Sequence, residues 1–261
     1  MRESTVVEQA TEELAFRIAS GAFGPGTKLP SVRDLASELG INPSTVQVVL
    51  GRLQEAGFVD AHRRVGFVVR DIRLVGGIET WRFLFRFSQR LPDLAARMLA
   101  DVLSTRLLLV SHALRLIAAS PQRFDPAPLR QAVDQLELLV AAVDDDDLPR
   151  IARAELHAVR MVIASAGQGV GLAVFNSTGE MLLGVPAVVR ALYTEPRLKV
   201  TAWRAFVGTW ESGTLTDDGV SNVESFIREW DVDTIKRFRA VLDEEQRAGS
   251  RGRRKTKAAS A

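Results

Sequence analysis

The stretch LPSVRDLASELGINPSTVQVVLGRL, residues 29–53, decides how the chain is read. Ser31 is followed three positions later by Asp34, a spacing in which each side chain serves a backbone N–H left without a partner at a helix start. Leu35, Ala36 and Leu39 recur at three-to-four spacing, and Gly40 is the expected stop. A second helix starts two residues on. Asn42 is its cap, and Pro43 suits the first helical position because its φ is fixed and its missing N–H would be unpaired there. Val46, Val49, Leu50 and Leu53 form the inward stripe. Two short helices around a tight glycine turn make a helix-turn-helix, whose second helix can lie in the DNA major groove. An ordinary packed pair of helices shares the same spacing.

On the N-terminal side, residues 5–20 put Val7, Ala10, Leu14 and Ile18 on one face, which predicts an amphipathic helix packed on that pair. GAFGPGTKLP then forces a turn. After Gly57, Phe58-Val59 and Phe67-Val68-Val69 read as two short strands joined by DAHRRVG, a hairpin wing with His62, Arg63, Arg64 and Gly66 at or near its tip. Cationic side chains beside a recognition helix are drawn to the negative potential of the minor groove, although two arginines on a turn are also what a solvated surface looks like. In the second helix Ser44, Thr45 and Gln47 occupy the first turn and a half, where hydroxyls reach phosphate or base and Gln can pair with adenine.

The stretch from Ile18 to Val69 resembles the N-terminal domain of the GntR family of bacterial transcription regulators. The resemblance is carried by Ile18, Gly21, Pro25, Gly26, Leu29, Pro30, Ser31, Arg33, Leu35, Ala36, Leu39, Gly40, Thr45, Val46, Leu53, Gly57 and Gly66. It implies a winged helix that binds double-stranded DNA, with Arg33 at a position that contacts the operator and the wing glycine allowing close backbone approach. Many relatives carry arginine in the recognition helix where this chain has Pro43 and Gln47.

The 261 residues, 46% hydrophobic, suit two modest domains with real cores. No run of about 18 uninterrupted apolar residues exists and the N-terminus is polar and acidic, so neither a membrane span nor a signal peptide is expected, and the reading is cytoplasmic. The absence of cysteine excludes disulfides, thiolate metal sites and a cysteine nucleophile. The formal charge of +2 conceals an uneven distribution, because residues 247–261 carry six Lys/Arg and no acid. That tail is expected to be disordered, either a solubilising end or a weak phosphate attractor.

Residues 1–70 are thus expected to be the DNA-binding domain and 71–78 a linker that flexes at Gly76-Gly77. Residues 79–246 show helical periodicity throughout, with separate helices expected at 216–230 and 232–247, so the fold class is mainly α, a winged helix plus an all-α bundle. The run Asp144 to Asp147 reads as a loop before a helix start, where the dipole favours negative charge. No Gly-rich phosphate loop, Gly-x-Ser-x-Gly or HExxH occurs, and the expectation is that the protein is not an enzyme.

An all-helical half behind this winged helix resembles the effector-binding domain of FadR-type GntR regulators. The resemblance rests on LSTRLLLV around Arg106, ARAELHAVRMVIASAGQGVGL and ESFIREWDVDTIKRFRAVL. One branch binds a divalent metal, which then receives an organic acid; the other binds a long acyl-CoA in a metal-free cavity. His157 falls where the metal branch has its first histidine, but its partner aspartate is replaced by Arg153 and no histidine follows, so no metal cofactor is expected. The resemblance places Arg106 facing the cavity, in need of an acidic partner from ligand or protein, and aligns Trp230 with an aromatic position of fatty-acid-responsive members. The segment Asp231-Val232-Asp233-Thr234 departs from the Gly/Ser segment found there, which puts the CoA contacts in doubt. The expected protein is a homodimeric repressor on a palindromic operator, with Arg106, His157 and Trp230 around a small apolar or acyl effector.

Overall fold

The computed structural model describes residues 5–120, 123–142 and 147–259, with side chains described as far as Ala248. It forms two compact units, Met1–Leu91 and Pro92–Ala261.

In the first unit α1 (Val6–Ala19) opens with a reciprocal cap: Thr5 Oγ1 accepts from Glu8 N at 3.2 Å, and Thr5 N donates to Glu8 Oε2 at 2.8 Å. α2 (Val32–Leu39) has the cap read from the sequence, with Asp34 N donating to Ser31 Oγ and Ser31 N to Asp34 Oδ2, both at 3.2 Å. Gly40 ends it at φ +64°, the left-handed conformation that glycine adopts without steric cost. α3 (Pro43–Glu55) starts on Pro43, but Asn42 makes no side-chain cap, so the fixed φ of proline does the work expected of the asparagine. Leu14, Leu35, Val46, Val49, Leu53, Phe58 and Val59 are fully buried and form the core between α1, α2, α3 and the wing. At about 1.5–3 kcal/mol for each large apolar side chain, this burial holds helices too short to persist alone.

The wing is an antiparallel pair, β1 (Val59–His62) and β2 (Gly66–Val69), with Val59 opposite Val69 and His62 opposite Gly66. Chain before α2 joins it: Leu29 N donates to Phe67 O and Val69 N to Thr27 O, both at 2.9 Å.

The expected boundary at residue 70 is corrected. Residues 71–78 are not an open linker, because Asp71 caps a single turn, α4 (Ile72–Val75). α5 (Ile78–Phe85) then belongs to the first unit. Edge-to-face contacts hold it and the turn that follows it there, with ring centroids 5.5 Å apart for Phe58–Phe83 in the helix and for Phe16–Phe87 just beyond it.

The second unit is helical: α6 (Pro92–Ala119), α7 (Ala127–Ala142), α8 (Leu148–Ser165), α9 (Gly169–Leu183), α10 (Pro186–Leu192), α11 (Pro196–Glu211) and α12 (Asp217–Ala259). α6 has the length and apolarity of a membrane span, yet Leu99, Leu103, Ala113, Leu114 and Ile117 are buried in the bundle. Of the aspartate run, Asp144 to Asp146 lie outside the described residues, while Asp147 precedes α8 and pairs with Arg150 at 2.8 Å. Where the sequence predicts two helices in 216–247, one unbroken helix runs. Asp231 does not act as a break because its carboxylate is engaged by Arg106. The tail expected to be disordered continues the same helix to Ala259, consistent with a segment rich in arginine, lysine and alanine, all good helix formers.

Candidate nucleic-acid interface and effector cavity

The first turn of α3 presents Ser44 and Gln47 to solvent, with Thr45 half-buried beside the core residue Val46. Arg33, second residue of α2, is exposed and makes no ion pair among the described residues. On the wing His62, Arg63, Arg64 and Gly66 are all exposed. Arg64 has φ +66°, a conformation that costs a side-chain-bearing residue about 1–2 kcal/mol, so the tip lifts this arginine out at the expense of backbone strain. Two further groups escape the sequence reading. Lys28 bridges to Val68, and a Cβ built on Gly66 would lie 3.6 Å from Lys28 Cε, which puts another cation at the wing. Val48 on α3 is 51% exposed, an apolar contact of the kind that meets a thymine methyl.

The second unit contains a half-open cavity of about 400 Å³. Val110, Leu114, Val159, Val162, Phe206 and Leu215 supply apolar wall, while Arg106, Glu155, Lys199, Trp203 and Trp230 bring polar atoms to it. That volume falls in the range of small-molecule sites.

Of the residues expected around an effector, Arg106 and Trp230 line the cavity. The expectation for His157 is corrected: it is exposed on α8, two residues past Glu155, and takes no part in the cavity wall. The reason is helical geometry, since 151, 155, 159 and 162 form the inward stripe of α8 and position 157 faces away from it. Among the described residues no group of three His, Asp or Glu is placed to hold a metal.

Arg106 meets a protein acid. Its Nη2 donates to Asp231 Oδ1 at 2.6 Å, joining α6 to α12. Beside this pair Glu155 accepts three donors: Lys199 Nζ at 2.8 Å, Trp203 Nε1 at 3.2 Å and the Tyr193 hydroxyl. Burial pushes the Glu155 carboxyl upward, but Lys199, Tyr193 and Arg106 outweigh it and hold it below the usual range. Burial likewise lowers the Lys199 ammonium, against the pull of Glu155, and raises the Tyr193 hydroxyl well above its ordinary value, with Glu155 adding to the rise. Asp231 is raised by burial, only partly offset by Arg106. Glu155, Tyr193, Lys199 and Trp203 are absent from the set that sequence reasoning picks out.

A helix-turn-helix with a basic hairpin wing defines the class of the first unit, a winged-helix domain. Residues 6–69 match the family described as bacterial regulatory proteins, gntR family, so the likeness to that family covers the N-terminal helix-turn-helix unit. Over 66 residues it is 41% identical to the uncharacterised HTH-type transcriptional regulator Rv0494 of Mycobacterium tuberculosis, a match to 25% of this chain and 27% of that relative's length. Over 175 residues it is 29% identical to the HTH-type transcriptional regulator Mce2R of the same species, covering 66% of this chain and 68% of Mce2R. Among solved structures, Lar, which controls expression of the Listeria monocytogenes agr system, superposes with a TM-score of 0.58 at 14% identity over 90% of this chain and 99% of that one. That last likeness is one of fold alone.

Proposed function

We propose that this protein is a cytoplasmic, homodimeric, DNA-binding repressor of the FadR type, whose helical unit senses a small apolar or acyl effector. The observation that carries the reading is a polar and basic surface on the first unit combined with an apolar cavity in the second. Ser44, Gln47, Val48 and Arg33 supply base-reading groups, and Lys28, Arg63 and Arg64 supply the phosphate and minor-groove contacts that give affinity without sequence preference. A single winged helix reads few base pairs, and two related by a twofold axis read a palindrome. Effector occupancy changes operator affinity through a coupling of about 1–3 kcal/mol, which is several-fold to about a hundred-fold in affinity.

The test is selection of bound duplexes from a random library with the full-length protein, followed by titration of the selected duplex. A palindromic consensus bound by two chains is expected. Binding that stays independent of sequence at every salt concentration overturns the reading. A metal-dependent mechanism of the same family is separated by EDTA: the reading proposed here requires unchanged thermal stability and DNA affinity.

A further inference from the structure

We infer that the exposed face of α3 is fitted to A·T pairs in the major groove, with Val48 seated against a thymine methyl and Gly51 kept bare for the groove wall. The inference rests on the operator-binding role proposed above and names the base pairs that α3 reads.

Helical spacing sets the outward face of α3. Val46, Val49, Leu50 and Leu53 are buried, which leaves Ser44, Gln47, Val48, Gly51 and Glu55 along the opposite side, all exposed. From Ser44 to Gly51 this face carries no charge, and Arg52 lies on its flank. Glu55, at the far end, repels phosphate, so the part of the helix suited to the groove is the stretch before it. Guanine is read chiefly by arginine or lysine, and the face itself has neither. It has instead the two groups that an A·T pair calls for. The Gln47 amide can bond adenine N6 and N7, and the Val48 isopropyl group is an apolar partner for the thymine methyl.

The fold itself gives no reason for either Val48 or Gly51. Val48 is half exposed, and valine and glycine are both poorer helix formers than the alanine, lysine or glutamate that an exposed helix position favours. Gly51 lies within α3 without a positive φ, and a Cβ built on it meets nothing within 4 Å. The helical glycines Gly171 and Gly179 differ, because a Cβ there would press on Leu109 at 3.2 Å and on Leu156 at 3.4 Å. Nothing inside the protein requires position 51 to be bare; a partner arriving from outside does. Gly51 follows Gln47 and Val48 by one turn on the same face, so a side chain there would hold the groove wall away from both.

The experiment is fluorescence anisotropy with the full-length protein and the duplex selected from the random library, in which deoxyuridine replaces thymidine at one position of each half-site at a time. Uracil lacks only the methyl. At one position its loss is expected to weaken binding by the parent protein about four-fold, as for one methyl group taken out of contact, and binding by Val48→Ala by less than about two-fold. Gly51→Ala is expected to weaken binding to the unsubstituted duplex several-fold, with a Tm equal to or above that of the parent, because alanine is the better helix former. Four results overturn the fitted face while the operator reading stands: a consensus with no thymine in its half-site, equal uracil effects in the parent and Val48→Ala, undiminished binding by Gly51→Ala, or a lowered Tm for Gly51→Ala. The absence of any consensus overturns both.

Discussion

The Lys199 ammonium lies 2.8 Å from the Glu155 carboxylate, with only 8% and 12% of the two side chains exposed. A pair so far removed from water is held by its partners rather than by attraction alone, because desolvation consumes most of the Coulomb gain. Removing one member leaves the other charged and buried. Lys199→Met is therefore expected to lower the unfolding free energy by about 3 kcal/mol, and Glu155→Gln with Lys199→Met together to lower it by less than Lys199→Met alone. Urea unfolding followed by circular dichroism measures both. A loss under about 1 kcal/mol for Lys199→Met would show the pair to be solvated.

The same cluster gives the bundle a pH dependence with two opposing signs. Glu155 is held below its ordinary value, so its contribution is present above about pH 4.3 and disappears as pH falls through the folded value. Asp231 is raised, so its contribution is present below about pH 3.9 and is lost as pH rises through the folded value. On acidification from about pH 6 to pH 3, Glu155→Gln should lose less stability than the parent protein and Asp231→Asn should lose more. Unfolding midpoints across that range test both, and parallel curves for all three proteins would refute the assignment.

All four charged members of the cluster interrupt core stripes, a signal that could have found Glu155 and Lys199 as well. Arg106 falls in the stripe Val102, Val110, Ala113; Glu155 in Ile151, Val159, Val162; Lys199 in Trp203, Phe206, Trp210; Asp231 in Val220, Ile227, Thr234, Phe238. Charges so placed must meet one another, since none stays buried unpaired. Arg106 stands out because its helix is otherwise apolar, whereas Asp231 reads as a departure from a motif rather than as the missing acid. The helix-turn-helix is readable because its signals are local: Ser31 with Asp34, Gly40, Pro43. Which helix supplies the acid for Arg106 depends on a contact 125 residues away in the chain, and periodicity carries no such information.

On the first unit, Arg33→Ala and Thr45→Ala are each expected to weaken binding to the selected duplex by about 1–3 kcal/mol, as for a base contact. Arg33 is exposed and unpaired among the described residues, so its loss should shift Tm little. Arg63→Ala and Arg64→Ala should behave differently, weakening all duplexes alike and each reducing the slope of log affinity against log salt by about 1. Fluorescence anisotropy across a series of salt concentrations separates the two patterns. Unchanged affinity for all of these variants would remove this surface as the reading face.

The boundary of the first unit depends on a contact that can be tested through Gly57. This residue has φ +80°, and a Cβ built on it would lie 2.8 Å from Thr80 Oγ1, inside contact distance. That hydroxyl is buried and donates to Ala56 O at 2.7 Å, which fastens α5 to the end of α3. Gly57→Ala thus meets two penalties, the left-handed backbone and the clash, and should cost about 1–3 kcal/mol or more. Thr80→Ala removes the clash but also the hydrogen bond. If the clash matters, the double variant should be less destabilised than the sum of the singles; if only the backbone matters, the two effects should add. Trp81, the next residue and the one tryptophan in residues 1–91, reports the transition by fluorescence when the bundle tryptophans are replaced by phenylalanine.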